Sequence, residues 1–466
     1  MLFFDGLLKE KTFMKVGTEV QPLNDFYVSN LKRFNLDKSQ VNAMLRQRSI
    51  KYGDFVLHAE MAPLIFSKEE LATYQKAGEL VWEASEIFTQ AVLKNPAWLK
   101  DCVPDERLRE LIKIDPGYKL NIPCSRFDTF PKKQGPIMIE LNPDGCSGMS
   151  NIDTFHELYI NLVGKAPGTG LENFTTEAIL PHLFATITGC YKEFCENYAS
   201  FNFPEKPTIA IIDWQTEDTF WEFHACADYF RRQGYRTLVL DPTELEWNGK
   251  WLLAAGEPVH LIYRRLLGED WVEAGEKLSG LTEAYKAHKV CVVGSLRSQI
   301  VFNKKLFSYL RSEEVLKLFR KEVREAVLQT VPFTVPWKEK TPECEFKGKT
   351  IKPSSFVRAN KDLFVLKPCR SKCGLGIVQG FHATEEEWQK ALDQALEEEF
   401  IVQEFVPLET AYFPVHGKTR EVEKRYLHAG IYVFGGKFSG FFGRTCKDPL
   451  LTLRHGERMM PVLKEV

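Results

Sequence analysis

The chain has 466 residues, 44% of them hydrophobic, with 61 Lys+Arg against 63 Asp+Glu for a formal charge of -2. At about 100 to 200 residues per domain, that length suggests roughly three lobes with ample apolar material for packed cores. The balanced charge gives no global field to draw in nucleic acid or an anionic membrane, so any basic residues that matter act locally.

No run approaches the roughly 20 apolar residues needed to cross a bilayer, and the opening MLFFDGLLKEKTF is broken by Asp5 before a signal-peptide core can form. The expected location is the cytoplasm. The 11 cysteines are odd in number and scattered. Cys369 and Cys373 form the one close set, and no second pair or His cluster completes a zinc site, so reduced thiols are expected.

Taken in order, residues 67 to 115 read as helices, the first broken near Asn95-Pro96. A short hairpin follows over SRFDTFPKKQGPIMIELNPDG, residues 125 to 145. From about residue 206 the character alternates: strand TIAII (208 to 212), a helix carrying Phe220, Phe223, Ala227 and Phe230, strand TLVL (237 to 240), strand VHLIY (259 to 263), a helix from 270, and strand VCVV (290 to 293). Short apolar strands between helices predict a mostly parallel, helix-covered sheet, hence an α/β fold. After Pro332 come strand LFVLKP, a glycine-containing loop, strand IVQGF and a helix. That helix opens on a Thr384/Glu387 capping box and is expected to bury Trp388, Ala391, Leu392, Ala395 and Leu396. Strand FIVQEFVP and a hairpin turning at Gly435-Gly436 close the chain, and the acidic run Glu397 to Glu399 reads as a solvated helix end.

The 125 to 145 hairpin asks for explanation. Residues two apart on a strand share a face, so Arg126 projects with Asp128, and Glu140 with Asn142. With PKKQGP as the turn, four polar groups converge on one patch, and Ile137, Ile139 and Leu141 are expected to fill the core behind it. Oxygen ligands of this kind suit Mg²⁺, and the guanidinium suits phosphoryl oxygens. The blander reading is a turn sequence with a surface ion pair.

The third region offers what a nucleotide requires. Lys367 ends an apolar strand before CRSKCGLGI, where Gly374 and Gly376 would let backbone N–H groups approach phosphate. No Walker loop occurs there, and a lone G-x-G is more often a flexible turn. Asn303-Lys304-Lys305 would otherwise be a solvated lysine pair. Gln403-Glu404-Phe405 could run along an adenine.

In this order the motifs resemble a circularly permuted ATP-grasp ligase of the glutathionylspermidine synthase-like family: Arg126-x-Asp128, Glu140-x-Asn142, Asn303-Lys304, Lys367-Pro368, the Gln403-Glu404 strand, then a late Ala-Gly strand and Arg444. The resemblance covers about residue 120 to the C-terminus and is carried by motifs. It implies an ATP-grasp fold in permuted order with a parallel-sheet α/β subdomain. Asp128, Glu140 and Asn142 would hold Mg²⁺, Arg126 and Arg444 would serve the transferred phosphoryl group, and Lys304 and Lys367 would contact ATP phosphates. Gly374 and Gly376 would belong to a mobile cover, and Gln403, Glu404 and Phe405 would face the adenine. The expected division is an entry segment at 1–115, a hairpin and helices at 116–205, a substrate-side α/β subdomain at 206–300, and an ATP-binding lobe with the rest of the core at 301–466.

The implied activity activates a carboxylate as an acyl phosphate and condenses it with an amine, using ATP and Mg²⁺. A phosphotransferase on the same fold and a non-catalytic nucleotide-binding protein are the alternatives. The segment PDGCSGMSNIDTFHELY after E-x-N departs from the family's short D-T-P-T-like stretch, and no amidase domain is present. Glutathione and spermidine are therefore not the expected substrates. Arg264 or Arg265, closing strand VHLIY, could meet the acid substrate or form a surface salt bridge. Cys146 reads as buried and inert, and His156 and His224 as structural.

Overall fold

A computed structural model describes residues 31–48, 50–164, 171, 173–370, 375–414, 422–448 and 456–466. Gly374, expected in the phosphate loop, lies outside them. Among the described residues no helix is long and apolar enough to cross a membrane.

The fold is mixed α/β, and it gathers distant parts of the chain. The largest sheet has seven strands, with Cys124–Phe130 and Ile137–Asn142 at one edge. Next in the sheet lie Val422–Phe434 and Lys437–Cys446, then Arg458–Met459 and His58–Ala59. Helix Lys68–Leu93 packs on this sheet; it starts at a Ser67/Glu70 capping box and buries Tyr74, Leu80, Val81, Ala84 and Phe88. It is followed by helix Pro96–Cys102, N-capped by Asn95, so the expected break falls where the Asn-Pro pair stands.

The expected parallel sheet is present. Strands Cys291–Val293, Leu261–Arg264, Ile209–Ile212 and Thr237–Leu240 lie side by side in that order, every pair parallel. Helix Phe220–Arg232 covers it with Phe223, Ala227 and Phe230 buried.

A third sheet orders Thr334–Pro336, Phe400–Glu404, Phe364–Pro368 and Val378–Gln379. It has its own small core, including Phe333, Trp337, Phe364, Trp388, Leu392 and Val402, separate from the main one. Its helix Glu385–Gln394 keeps the Thr384/Glu387 capping box. Leu396, expected to be buried, is 37% exposed because the helix ends before it.

Polar contacts join this small lobe to the body. Lys304 N–H donates to the Cys369 carbonyl at 3.1 Å, and the Arg370 guanidinium meets the Cys102 carbonyl at 2.6 Å and the Glu269 carboxylate. Glu399, expected to be a free helix end, reaches across to Lys305 at 2.5 Å.

Candidate functional site

Two β-irregularities decide which side chains meet. In the first hairpin Phe130 pairs with Ile137 and Thr129 with Met138, but Asp128 pairs with Glu140 and Arg126 with Asn142, leaving Ile139 as the extra residue. Without that bulge Asp128 would oppose Ile139, and Glu140 would point to the other face. The bulge therefore puts Arg126, Asp128, Glu140 and Asn142 on one face. It also corrects the expected core set: Met138 and Leu141 are buried, at 0% and 5% exposure, whereas Ile137 and Ile139 are half-buried.

The second hairpin repeats the device. From its Gly435-Gly436 turn Phe434 pairs with Lys437, and an irregularity between Tyr432 and Val433 advances the register so that His428 opposes Arg444. An unbroken register would have set His428 opposite Gly443 and turned Arg444 away. Because Val422–Phe434 also pairs with Cys124–Phe130, Tyr432 opposite Arg126, the two polar faces share one sheet. Gly430 completes the fit: a Cβ there would come within 2.9 Å of Arg126 Cδ, so the Ala-Gly pair makes room for the arginine's stem.

On that face Arg126 Nε donates to Asp128 Oδ1 at 2.7 Å, and its Nη1 donates to the Ser147 carbonyl at 2.7 Å. Arg444 Nη2 lies 3.3 Å from Asp128 Oδ2 and 2.8 Å from His428 Nδ1, and Nη1 lies 3.4 Å from Glu457. Both guanidinium groups stack on the Phe442 ring, 5.4 and 4.9 Å from its centroid. Burial pushes the Asp128 carboxyl up, but Arg126 and Arg444 more than offset it and hold the group well below the usual carboxylate range. His428 is also held well below its ordinary value, first by burial and then by Arg444.

Lys304 reaches this face, and the hairpin carboxylates act on the charge of Lys367. Lys304 is not solvated: its side chain is 8% exposed and its Nζ lies 2.9 Å from Glu140 Oε1. Its neighbour Lys305 is also buried, between Asp101 and Glu399. Lys367 donates to Gln403 Oε1 at 2.7 Å, and Gln403 donates in turn to Thr334 Oγ1 at 3.1 Å. Burial lowers Lys367 to about 8; Glu140 and Asp128 work against that shift and Lys304 adds to it. These influences place Lys367 within electrostatic reach of the hairpin carboxylates.

The strand expected beside the adenine is used internally in part. Glu404 N–H donates to the Phe333 carbonyl at 2.8 Å and Phe405 N–H to Leu363 at 2.7 Å, while the Glu404 side chain pairs with Lys347 at 2.9 Å. The Phe405 ring lies 4.3 Å from that of Phe381, leaving a half-buried aromatic surface beside the strand. Gly376, at φ 74, sits so close to Pro368 that a Cβ would fall 2.8 Å from its Cγ.

Arg264 and Arg265 are buried, so neither forms the surface salt bridge the sequence allowed. Arg264 is 1% exposed and forks onto Asp144, which also accepts from Ser298 at 3.2 Å, Gly268 N–H at 3.2 Å and Gln299. Arg265 donates to the Gly145 carbonyl at 2.8 Å and to that of Cys146. Together they anchor PDGCSG, the segment that departs from the family pattern, to the parallel sheet. Cys146 is buried and its thiol is pushed up by burial. His156 is buried, lowered to about 3, and accepts from Val462 N–H at 3.2 Å; His224 lies exposed beside Phe220.

His428, Phe442 and Glu457 had drawn no attention in the sequence. Phe442 stands two residues from Arg444 and so shares its face, a signal that was present. His428 became visible only through the bulge.

Among the described residues no group of three or more His, Cys, Asp or Glu could hold a metal ion. The two carboxylates and one amide on the hairpin face nevertheless fit Mg²⁺, which takes one or two carboxylates and completes its shell with water and phosphate.

No protein-family model and no curated protein matches the sequence. Among solved structures the fold is similar to a glutathione synthetase-like effector, GSS30, from Globodera pallida, determined without ligand. The TM-score is 0.57 at 11% identity, over 92% of this chain and 97% of that one. A putative gamma-glutamylcysteine synthetase from Methylobacillus flagellatus KT is more distant, with TM-score 0.39 and 11% identity over 82% of this chain and 88% of that one. More distant again is the ATP-grasp ligase PsnB bound to a minimal precursor, Mg and ADP, with TM-score 0.22 and 11% identity over 55% and 88%.

Proposed function

We propose that the chain is an ATP-dependent carboxylate-amine ligase with an ATP-grasp fold in circularly permuted order. One arrangement carries the reading: Asp128 and Glu140, opposed across a bulged hairpin, share their face with the cations of Arg126, Arg444 and Lys304 and act on the charge of Lys367. Four cations against those two carboxylates and Glu457 leave a positive excess in a largely buried site, the polarity a polyphosphate requires. The fold shared with a glutathione synthetase-like protein agrees with this reading.

In the proposed reaction Lys304 and Lys367 hold ATP phosphates, and the half-buried surface of Phe381 and Phe405 takes the base. Arg126 and Arg444 offset the charge that gathers as a substrate carboxylate attacks the terminal phosphoryl group. The resulting acyl phosphate has a leaving group an amine can displace, giving an amide or peptide bond and free phosphate. Asp128, Glu140 and Asn142 would hold Mg²⁺, which supplies charge neutralisation across the phosphates. Closure of the small lobe would keep water from the acyl phosphate. The cysteines among the described residues form no disulfide, which suits a reducing compartment such as the cytoplasm.

The test is release of ADP and phosphate by the purified chain against panels of acids and amines. Turnover that requires one of each, and that is lost in Asp128→Asn and Glu140→Gln, is expected. A phosphorylated product without free phosphate would instead mean phosphotransfer. Nucleotide binding with no turnover across the panels would favour the non-catalytic alternative.

A further inference from the structure

Arg444 is held by more than its ion pairs. Its contacts to Asp128 and Glu457, at 3.3 and 3.4 Å, are longer than the 2.8 Å to His428 Nδ1. An arginine can only donate, so Nδ1 accepts and the ring carries its proton on Nε2. The ring is 1% exposed and braced edge-on by Phe130 at 6.2 Å. A carboxylate at this position would hold the guanidinium equally well but would quench its charge; a neutral imidazole orients it and leaves the charge available. The buried Nε–H of Arg444 finds no acceptor among the described residues. The side chain that carries it stands on the face shared with Asp128, 3.3 Å from that carboxylate, and a buried donor without an acceptor calls for one.

Resting on the nucleotide reading above, we propose that His428 is a positioning residue, a neutral acceptor that sets Arg444 so that its unpartnered Nε–H meets the terminal phosphoryl group of the nucleotide. His428 itself touches no reacting atom. It acts through the arginine, so its loss is felt where a third phosphate is present and not where two suffice.

The experiment titrates the full chain, with Mg²⁺, against ADP and against the β,γ-imido analogue of ATP by calorimetry. His428→Phe keeps a ring and removes the acceptor. It is expected to weaken the triphosphate analogue about tenfold while leaving ADP unchanged. His428→Asn, whose amide oxygen can stand near the Nδ1 position, is expected to recover most of that loss. Glu457→Gln, which removes a carboxylate 3.4 Å from the other end of the guanidinium, should shift the ratio the opposite way, toward the triphosphate, which keeps the test open should the Phe variant fold poorly. A merely structural histidine would move both affinities together. A wild-type ratio in His428→Phe and Glu457→Gln overturns the proposal. A wild-type chain that binds neither nucleotide overturns the nucleotide reading itself, and this inference with it.

Discussion

Two arginine-aspartate clusters, one around Asp144 and one around Asp128, differ in what surrounds them. Around Asp144, one arginine meets one carboxylate, and Ser298, Gln299 and the Gly268 N–H fill the remaining acceptor positions; Arg264 donates its other N–H groups to carbonyls such as Gly294, at 2.7 Å. The charges and hydrogen bonds of this carboxylate and this guanidinium close within the protein. Around Asp128, two arginines compete for one carboxylate, two lysines stand nearby, and a buried donor on Arg444 has no acceptor among the described residues. The first arrangement is complete and ties the hairpin's end to the parallel sheet. The second leaves a donor without an acceptor among the described residues, which under the proposed function an anion would satisfy.

The largest effect should separate them by stability. Asp144→Ala leaves Arg264 charged and unpaired in the interior, and about 3–5 kcal/mol of unfolding free energy should be lost in urea denaturation followed by circular dichroism. Were it to cost no more than a surface substitution, the closed character of that pair would be refuted. Asp128→Asn should destabilise by less, about 2 kcal/mol or under, since Ser147, His428 and Glu457 still receive the arginines. Instead it should weaken Mg·ADP binding on the order of a hundredfold, as read by calorimetry.

The smallest effect is a proton. Lys367 sits at about 8 in the folded protein against 10.5 ordinarily. Below about 8 it is charged both folded and unfolded, and the cost of its burial is felt in full. Between the two values only the unfolded chain keeps the proton, so this lysine's contribution rises with pH. A bound polyphosphate favours the charged amine. At pH about 8.5, therefore, nucleotide binding should take up part of a proton, seen by calorimetry in buffers of different ionisation enthalpy. Lys367→Arg should abolish the uptake, and the same uptake in that variant would remove Lys367 from the site.

Much of the fold could be read in advance because its signals are local. The Thr384 cap, the Asn95-Pro96 break, the Gly435-Gly436 turn and the apolar strands of the parallel sheet each lie within a few residues of what they specify. Of the motif residues, the structure brings Arg126, Asp128, Glu140, Asn142, Arg444 and Lys304 onto one face, where the hairpin carboxylates also act on Lys367. What escaped was register. Period-two alternation assigned Ile139 to the core, and only pairing with the neighbouring strand shows it to be the bulged residue. His428 was hidden by the same kind of one-residue shift. Arg264 escaped for another reason: its partner Asp144 lies far away in sequence, and a buried pair and a surface pair look alike in a string of letters.

The central sheet draws its middle strands from residues 422–446 and its edge pair from 124–142. Such distant pairing closes slowly, because a long loop must be ordered before its contacts form. A chain emerging from the ribosome therefore carries its first hairpin for hundreds of residues without Arg444 or His428 beside it. Under the proposed function, a competent site therefore awaits the segment that carries His428 and Arg444, so the hairpin alone would turn over no nucleotide.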